Sequence, residues 1–289
     1  MSDAVIAPPR KIPITRVTSE SGPVRAVLIA IALLFLTLVV FLPLAAVFTE
    51  AFRRGLGAYL EALGDPDTMH AIGLSFRVAI LAVAVNIVVG GAAAWAVAKF
   101  EFRGKNLLLT LIDLPIALPT AVAGIALAVI YAPNGLVGAL LAPFGIKVAY
   151  TPLAVIVALI FVGLPFVVRT IQPVLAESEK EIEEAAALLG ASRLRTVFSV
   201  VLPLVSPALL TGFALAFARG VGEYGSVIFV AGNLPFVSEI APLLIVIRLE
   251  EFDYGGAAVI ATVMLALSFF LLMVISALQT RNRRRLGYV

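Results

Sequence analysis

The sequence predicts an all-α integral membrane protein with six transmembrane helices, and three observations carry that prediction. Of its 289 residues, 62% are hydrophobic and only 13% charged, about half the charged share of a soluble domain. Mean hydropathy is +1.10. Apolar runs of about twenty residues recur, each long enough at ~1.5 Å per residue to cross ~30 Å of hydrocarbon. They are far longer than barrel strands, so the backbone must satisfy its hydrogen bonds within helices.

The first run, Ala26 to Phe48, follows a basic tail. It exceeds the apolar core of a signal peptide and no clear small-residue cleavage site follows, so it reads as an uncleaved anchor. The second run is Val78 to Ala98, and the third is Leu107 to Ala132. The fourth extends from about Val148 to Val168, the fifth from near Leu204 through Val230 with a polar interruption, and the sixth from Ala257 to Leu278. Between the last two, Ala241 to Ile247 is apolar but short and bracketed by Glu239 and Arg248. It reads as an external interfacial or re-entrant piece, not a seventh span. The expected organisation is a cytoplasmic tail over residues 1–25, one transmembrane domain over 26–279 and a basic tail over 280–289.

Orientation follows from the Lys and Arg outside the runs. Arg10, Lys11, Arg16 and Arg25 precede the first; Lys99, Arg103 and Lys105 join the second and third; Arg169, Lys180, Arg193 and Arg195 join the fourth and fifth; Arg281, Arg283, Arg284 and Arg285 follow the sixth. Only Arg53, Arg54, Lys147 and Arg248 fall on the other side. An excess of this size predicts that both termini are cytoplasmic. Net positive charge therefore marks membrane topology, and no nucleic-acid partner is expected.

Several chemistries are excluded. With no cysteine and a single histidine, His70, disulfides, thiolate metal centres and cysteine nucleophiles cannot be built, and no metal site, catalytic residue or cofactor is expected. A serine–histidine intramembrane protease would depend on His70, which lies outside the runs. No G-x-x-x-x-G-K-[ST] phosphate loop occurs: Gly104 and Lys105 are followed by Asn106 and lack the upstream glycine.

The long charged loop from Ser178 to Pro203 has the grammar of two short helices. Ser178 and Glu181 have capping-box spacing, and Glu179, Glu181, Glu183 and Glu184 place negative charge near a helix N-terminus. Ile182, Ala185, Ala186 and Leu189 share one face. Gly190 can end the helix in a left-handed conformation and Ser192 can cap the next. There Leu194, Val197, Phe198 and Val201 form an apolar face beside Arg193 and Arg195, and Pro203 is expected to close the unit. The same grammar fits an amphipathic helix on the membrane surface.

The spacing Glu184, Ala185, Ala186, then Gly190, then Val200, Leu202 and Pro203 resembles the cytoplasmic EAA loop of ABC-importer permease subunits, with Val200 where the family usually has isoleucine. The resemblance implies a type I importer permease fold and a loop forming coupling helices that dock on a separate ATPase chain. It also implies that Glu184, Ala185, Ala186, Gly190, Leu202 and Pro203 belong to the ATPase-coupling surface.

Charged side chains inside spans cost ~2.5–3.5 kcal/mol on insertion scales, so each needs a partner or a wet cavity. Arg77, Asp113, Arg219 and Glu223 are the candidates for the translocation path. Arg219 and Glu223 stand four residues apart, so mutual neutralisation and a place along the path both remain open. Arg77 is expected at the external edge of the second span, and Asp113 near the cytoplasmic start of the third. Arg77 and Arg219 could offer positive charge to an anion.

The segments GEYGSVIFVAGN from Gly222, SEIAPLLI from Ser238 and DLPIALPTAVAGIAL from Asp113 are similar to the T-type permeases of bacterial sulfate/thiosulfate importers. Gly220 and Val221 replace the Ala-Leu often found before Gly-Glu there. That resemblance implies an inner-membrane heterodimer with a W-type sulfate permease subunit, a dimer of ATP-binding subunits and a periplasmic sulfate/thiosulfate-binding protein. A molybdate or tungstate importer is the near alternative. An ion-coupled secondary transporter working through Asp113 and Glu223 is the distant one.

Overall fold

The computed structural model describes residues 22–177 and 180–285. Ser178 of the expected capping box, Glu179 beside it, and Arg10, Lys11 and Arg16 of the N-terminal tail lie outside them. The chain divides into two compact units, Met1–Val47 and Phe48–Val289.

The first unit holds most of α1 (Gly22–Phe52). Its apolar side chains are exposed, Leu33 at 58% and Phe35 at 65%, as expected of a surface that meets lipid or another chain rather than water. Thr37–Phe41 form a π-helical turn directly before Leu42 and Pro43. Proline lacks a donor and its ring crowds the carbonyl four residues back, and widening the turn relieves that clash.

The second unit is a bundle of long helices with short ones between them. After α2 (Gly55–Gly64) come α3 (Pro66–Lys99), α4 (Lys105–Ala117), α5 (Thr120–Tyr131) and the short α6 (Gly138–Leu141). Then follow α7 (Pro152–Glu177), α8 (Lys180–Leu188), α9 (Arg193–Val221, with a π-helical turn inside it), α10 (Val227–Ala231), α11 (Ala241–Glu250) and α12 (Tyr254–Arg285). No strand occurs among the described residues. Among the described residues five helices are individually long and apolar enough to cross a membrane, or six where the bent pair of α4 and α5 counts as one span.

The core lies where α3, α7 and α9 meet. Ala79, Ala82, Ala154, Ala158, Val167, Val168, Ala216 and Phe217 are buried there. Small residues bring the backbones together: a Cβ on Gly212 of α9 would stand 3.2 Å from the Val167 Cα, and one on Gly163 of α7 would stand 2.6 Å from the Asn86 Nδ2. Close packing of this kind replaces the water-driven burial that holds soluble bundles together.

Several expectations need correction. The third span is not one helix, because α4 and α5 meet at 115°. Pro119 forces Leu118 into an extended conformation, φ −83° and ψ 136°, and α4 ends there. Nor does Pro203 close the loop unit. The second loop helix runs on as α9 from Arg193 to Val221, with a π-helical turn at Val197–Val201 absorbing Leu202-Pro203 as the one in α1 absorbs Leu42-Pro43. Arg169 lies inside α7, not in the loop after it, and Arg77 stands about three turns into α3, away from its end. The polar interruption of the fifth run is real: α9 stops at Val221, and residues 222–226 separate it from α10.

The short apolar stretch after it is α11, whose ten residues span about 15 Å, half the hydrocarbon thickness. Its first amide, on Ala241, donates to Ser75 Oγ of α3 at 2.8 Å, so an orphan donor of the helix start is met across the bundle.

Candidate functional site

The loop between α7 and α9 is built as its sequence suggests. Gly190 takes φ 81°, with open space where a Cβ would point. The Gly190 amide donates to the Ala187 carbonyl at 2.9 Å and the Ala191 amide to the Ala186 carbonyl at 3.0 Å, the paired bonds of a Schellman end. Ser192 then caps α9, its Oγ accepting from the Arg195 amide at 3.4 Å. Several large apolar side chains of this unit do not turn inward: Leu188 and Leu189 are each 89% exposed, Leu194 72% and Phe198 65%, while Val201 is buried. Glu184, Ala185, Gly190 and Leu202 are exposed with them, while Ala186 and Pro203 are half-buried. An uncovered patch of large apolar side chains beside charged groups is a surface of the kind that meets another protein or the membrane.

The acid that anchors this loop is one the sequence did not single out. Glu183 accepts from Arg193 Nη1 at 2.6 Å and pairs with Lys99 Nζ, at the end of α3, at 2.9 Å. The Arg193 guanidinium lies 5.6 Å from the Trp95 ring centroid, within cation–π range. Burial pushes the Glu183 carboxyl up, yet the hydrogen bonds and charges of Lys99 and Arg193 outweigh it and hold the group below its ordinary value. Lys99 and Glu183 are 84 positions apart, and no local spacing links them.

Of the charges predicted inside spans, the structure brings two together. Arg219 Nη1 lies 2.5 Å from Glu223 Oε2, and Glu223 is 1% exposed. The other Glu223 oxygen accepts from the Ser226 amide at 3.0 Å and its hydroxyl at 2.9 Å. This carboxylate therefore ties the end of α9 to the turn that starts α10. Asp113 pairs with Arg169 Nε at 2.8 Å, joining α4 to α7. Arg77 joins neither pair: its Nε donates to the Gly73 carbonyl of its own helix at 3.0 Å, and among the described residues no carboxylate neutralises it. The 222–226 turn rests directly on α5, where a Cβ on Gly124 would stand 2.4 Å from the Ser226 carbonyl oxygen.

At the opposite end of α3 from Lys99, Asp65 accepts from Arg248 Nη2 at 2.8 Å. Glu239, read from sequence as a flanking charge, is 4% exposed. Burial, and then the negative charge of Asp67, push its carboxyl above the ordinary range, against the pull of Arg248.

Residues 86–287 match the family of binding-protein-dependent transport system inner membrane components. The chain belongs to that family. It is accordingly a multi-pass membrane protein and a transport permease subunit, and α3 from Asn86 onward, the Glu183 loop and the Gly222–Ser226 turn all fall inside the family's extent. The probable sulfate transport system permease protein cysT of Nephroselmis olivacea is 45% identical over 258 residues, covering 89% of this chain and 91% of that protein. The sulfate transport system permease protein CysT of Escherichia coli K12 is 46% identical over 254 residues, covering 88% and 92%. Among solved structures, a bacterial ABC transporter involved in the import of the acidic polysaccharide alginate superposes with a TM-score of 0.74 over 90% of this chain and 95% of that one, at 14% identity. That likeness speaks to the fold.

Proposed function

We propose that this chain is the T-type permease of an ATP-driven sulfate/thiosulfate importer, forming half of the pore and coupling it to a separate ATPase. The observation that carries the reading is similarity at 45–46% identity, over about nine-tenths of both chains, to proteins named as sulfate permeases. A W-type permease subunit completes the pore, two ATP-binding subunits dock on the exposed face around Leu188, Leu189, Leu194 and Phe198, and a periplasmic binding protein delivers the anion. The cluster of basic residues around Lys99 and Arg193 supports a cytoplasmic position for that face and for both termini.

Coupling runs through Glu184, Ala185, Ala186 and Gly190 on the docking face and through Leu202 and Pro203 where the loop helix passes into the span. Along the path Arg77 offers unneutralised positive charge to the dianion, while Arg219, tied to Glu223, and Asp113, tied to Arg169, stand as fixed charges beside it. The permease holds the anion weakly, because a deep well would trap it in transit.

The test is labelled sulfate uptake in a strain lacking its own T-type subunit. Wild-type chain restores uptake, and Gly190→Arg, which forces a bulky side chain onto a left-handed backbone at the docking face, abolishes it while the chain still reaches the membrane. No rescue by wild type, or rescue of molybdate uptake alone, overturns the assignment.

A further inference from the structure

Glu184 is the acid of the EAA motif, yet it is its neighbour Glu183 that touches the rest of the molecule. The Glu183 side chain is 14% exposed and that of Lys99 13%. Exposed ion pairs contribute little, whereas this carboxylate is largely withdrawn from solvent and meets two cations at once, Lys99 at 2.9 Å and Arg193 at 2.6 Å. The three charges sit on three helices: Lys99 is the last residue of α3, Glu183 lies within α8, and Arg193 is the first residue of α9. Trp95, one turn before Lys99, lies beneath the Arg193 guanidinium. The loop is covalently continuous with α9. Nothing covalent joins it to α3, and the Glu183 carboxylate supplies that link.

We infer that Glu183 is the positioning residue that fastens the coupling loop to α3, so that a displacement imposed on the loop moves α3 and α9 as one body. This rests on the transport reading above, and it adds a division of labour. Glu184 faces the docking partner. Glu183 faces inward and converts docking into movement of a second helix, the one that carries Arg77. An ATPase that still turns over on a loop lacking this link would move the loop against α3 and waste its strokes.

The experiment uses the complete complex, both permease chains with ATP-binding subunits and binding protein, in proteoliposomes, with sulfate uptake and ATP hydrolysis measured together. Glu183→Gln keeps the ATP-binding subunits in the purified complex and hydrolysis within about twofold, but lowers sulfate moved per ATP by about tenfold, the worth of one charge-assisted contact. Glu183→Asp, which keeps the charge, recovers most of the ratio, and Lys99→Gln lowers it as Glu183→Gln does. An unchanged ratio in Glu183→Gln overturns the inference, and so does loss of assembly in both Glu183→Gln and Lys99→Gln, which would make the cluster a matter of folding alone.

A second readout is independent of the transported anion. The chain has no cysteine, so spin labels placed through Ala187→Cys and Ala92→Cys, both exposed positions outside the docking residues, report the distance between loop and α3. In the wild-type background that distance holds when nucleotide is added, and with Glu183→Gln it changes. If it changes equally in both, the link is absent whatever the substrate. Wild-type complex that moves no sulfate while the distance holds would instead refute the substrate assignment and leave the link standing.

Discussion

Glu223 shows how one side chain answers what spacing alone leaves open, that Arg219 and Glu223 neutralise each other. At 1% exposure it has no water to solvate its charge, and Arg219 with the two Ser226 donors supplies what water would. Removing one partner of a buried pair costs about 3–5 kcal/mol, more than the pair contributes over an apolar replacement. Arg219→Ala is therefore expected to lower the melting temperature of the purified complex sharply, and Arg219→Ala with Glu223→Gln to recover part of the loss; equal melting temperatures for the two would contradict the pairing.

Glu239 presents the opposite case. Asp67, Arg248 and Glu251 are the charges that act on it, and only Arg248 favours ionisation. A carboxyl raised in the folded state favours folding below its unfolded value, 4.5, and loses that contribution as pH rises through the folded value. Glu239→Gln should thus stabilise the protein by a few degrees at about pH 8 and by less at about pH 5, as read from thermal unfolding; an equal gain at both would place the carboxyl in solvent. The sequence reading kept Glu239 among loop charges because hydropathy cannot show that a loop folds back into the bundle.

Among the elements, the loop was the most legible, because its grammar is local. Gly190 and Ser192 perform the turn and the cap that their types imply, and each acts within a few residues of itself. Breaks inside spans were less legible. Pro119 and Pro203 are both prolines in apolar runs, yet one ends a helix at a 115° corner and the other sits in a helix widened by a π-helical turn. Which outcome follows depends on what packs alongside, and composition does not carry that.

The corner has a packing consequence of its own, since it brings α5 against the 222–226 turn with no room at Gly124 for a methyl group. Gly124→Ala presses on backbone, not on a flexible side-chain tip, and overpacking of that kind costs about 1–3 kcal/mol. Its expected result is a lower yield of assembled complex and reduced uptake, with ATP-binding subunits retained in the fraction that assembles; normal yield and uptake would mean that the turn can move away.

For the molecule as a whole, the scarcity of charge identified a membrane protein and the placement of charge gave its expected orientation. What sequence could not supply was pairing over distance: Asp113 with Arg169, Asp65 with Arg248, and Glu183 with Lys99 each join separate helices. These pairs fasten α4, α11 and the loop helix α8 to the core of α3, α7 and α9 that Ala and Gly residues bring close.

One helix then acquires a mechanical meaning. α9 is a rod of 29 residues, about 43 Å long, with the loop's Arg193 at one end and Arg219 near the other. Tilted by about 5° around its loop end, such a rod carries its far end, and with it the Arg219–Glu223 pair, through about 4 Å. The π-helical turn at Val197–Val201, which begins about one turn from the loop end, interrupts the regular hydrogen-bond ladder of that rod, so under the proposed coupling the share of a loop displacement passed to the far end depends on the stiffness of five residues.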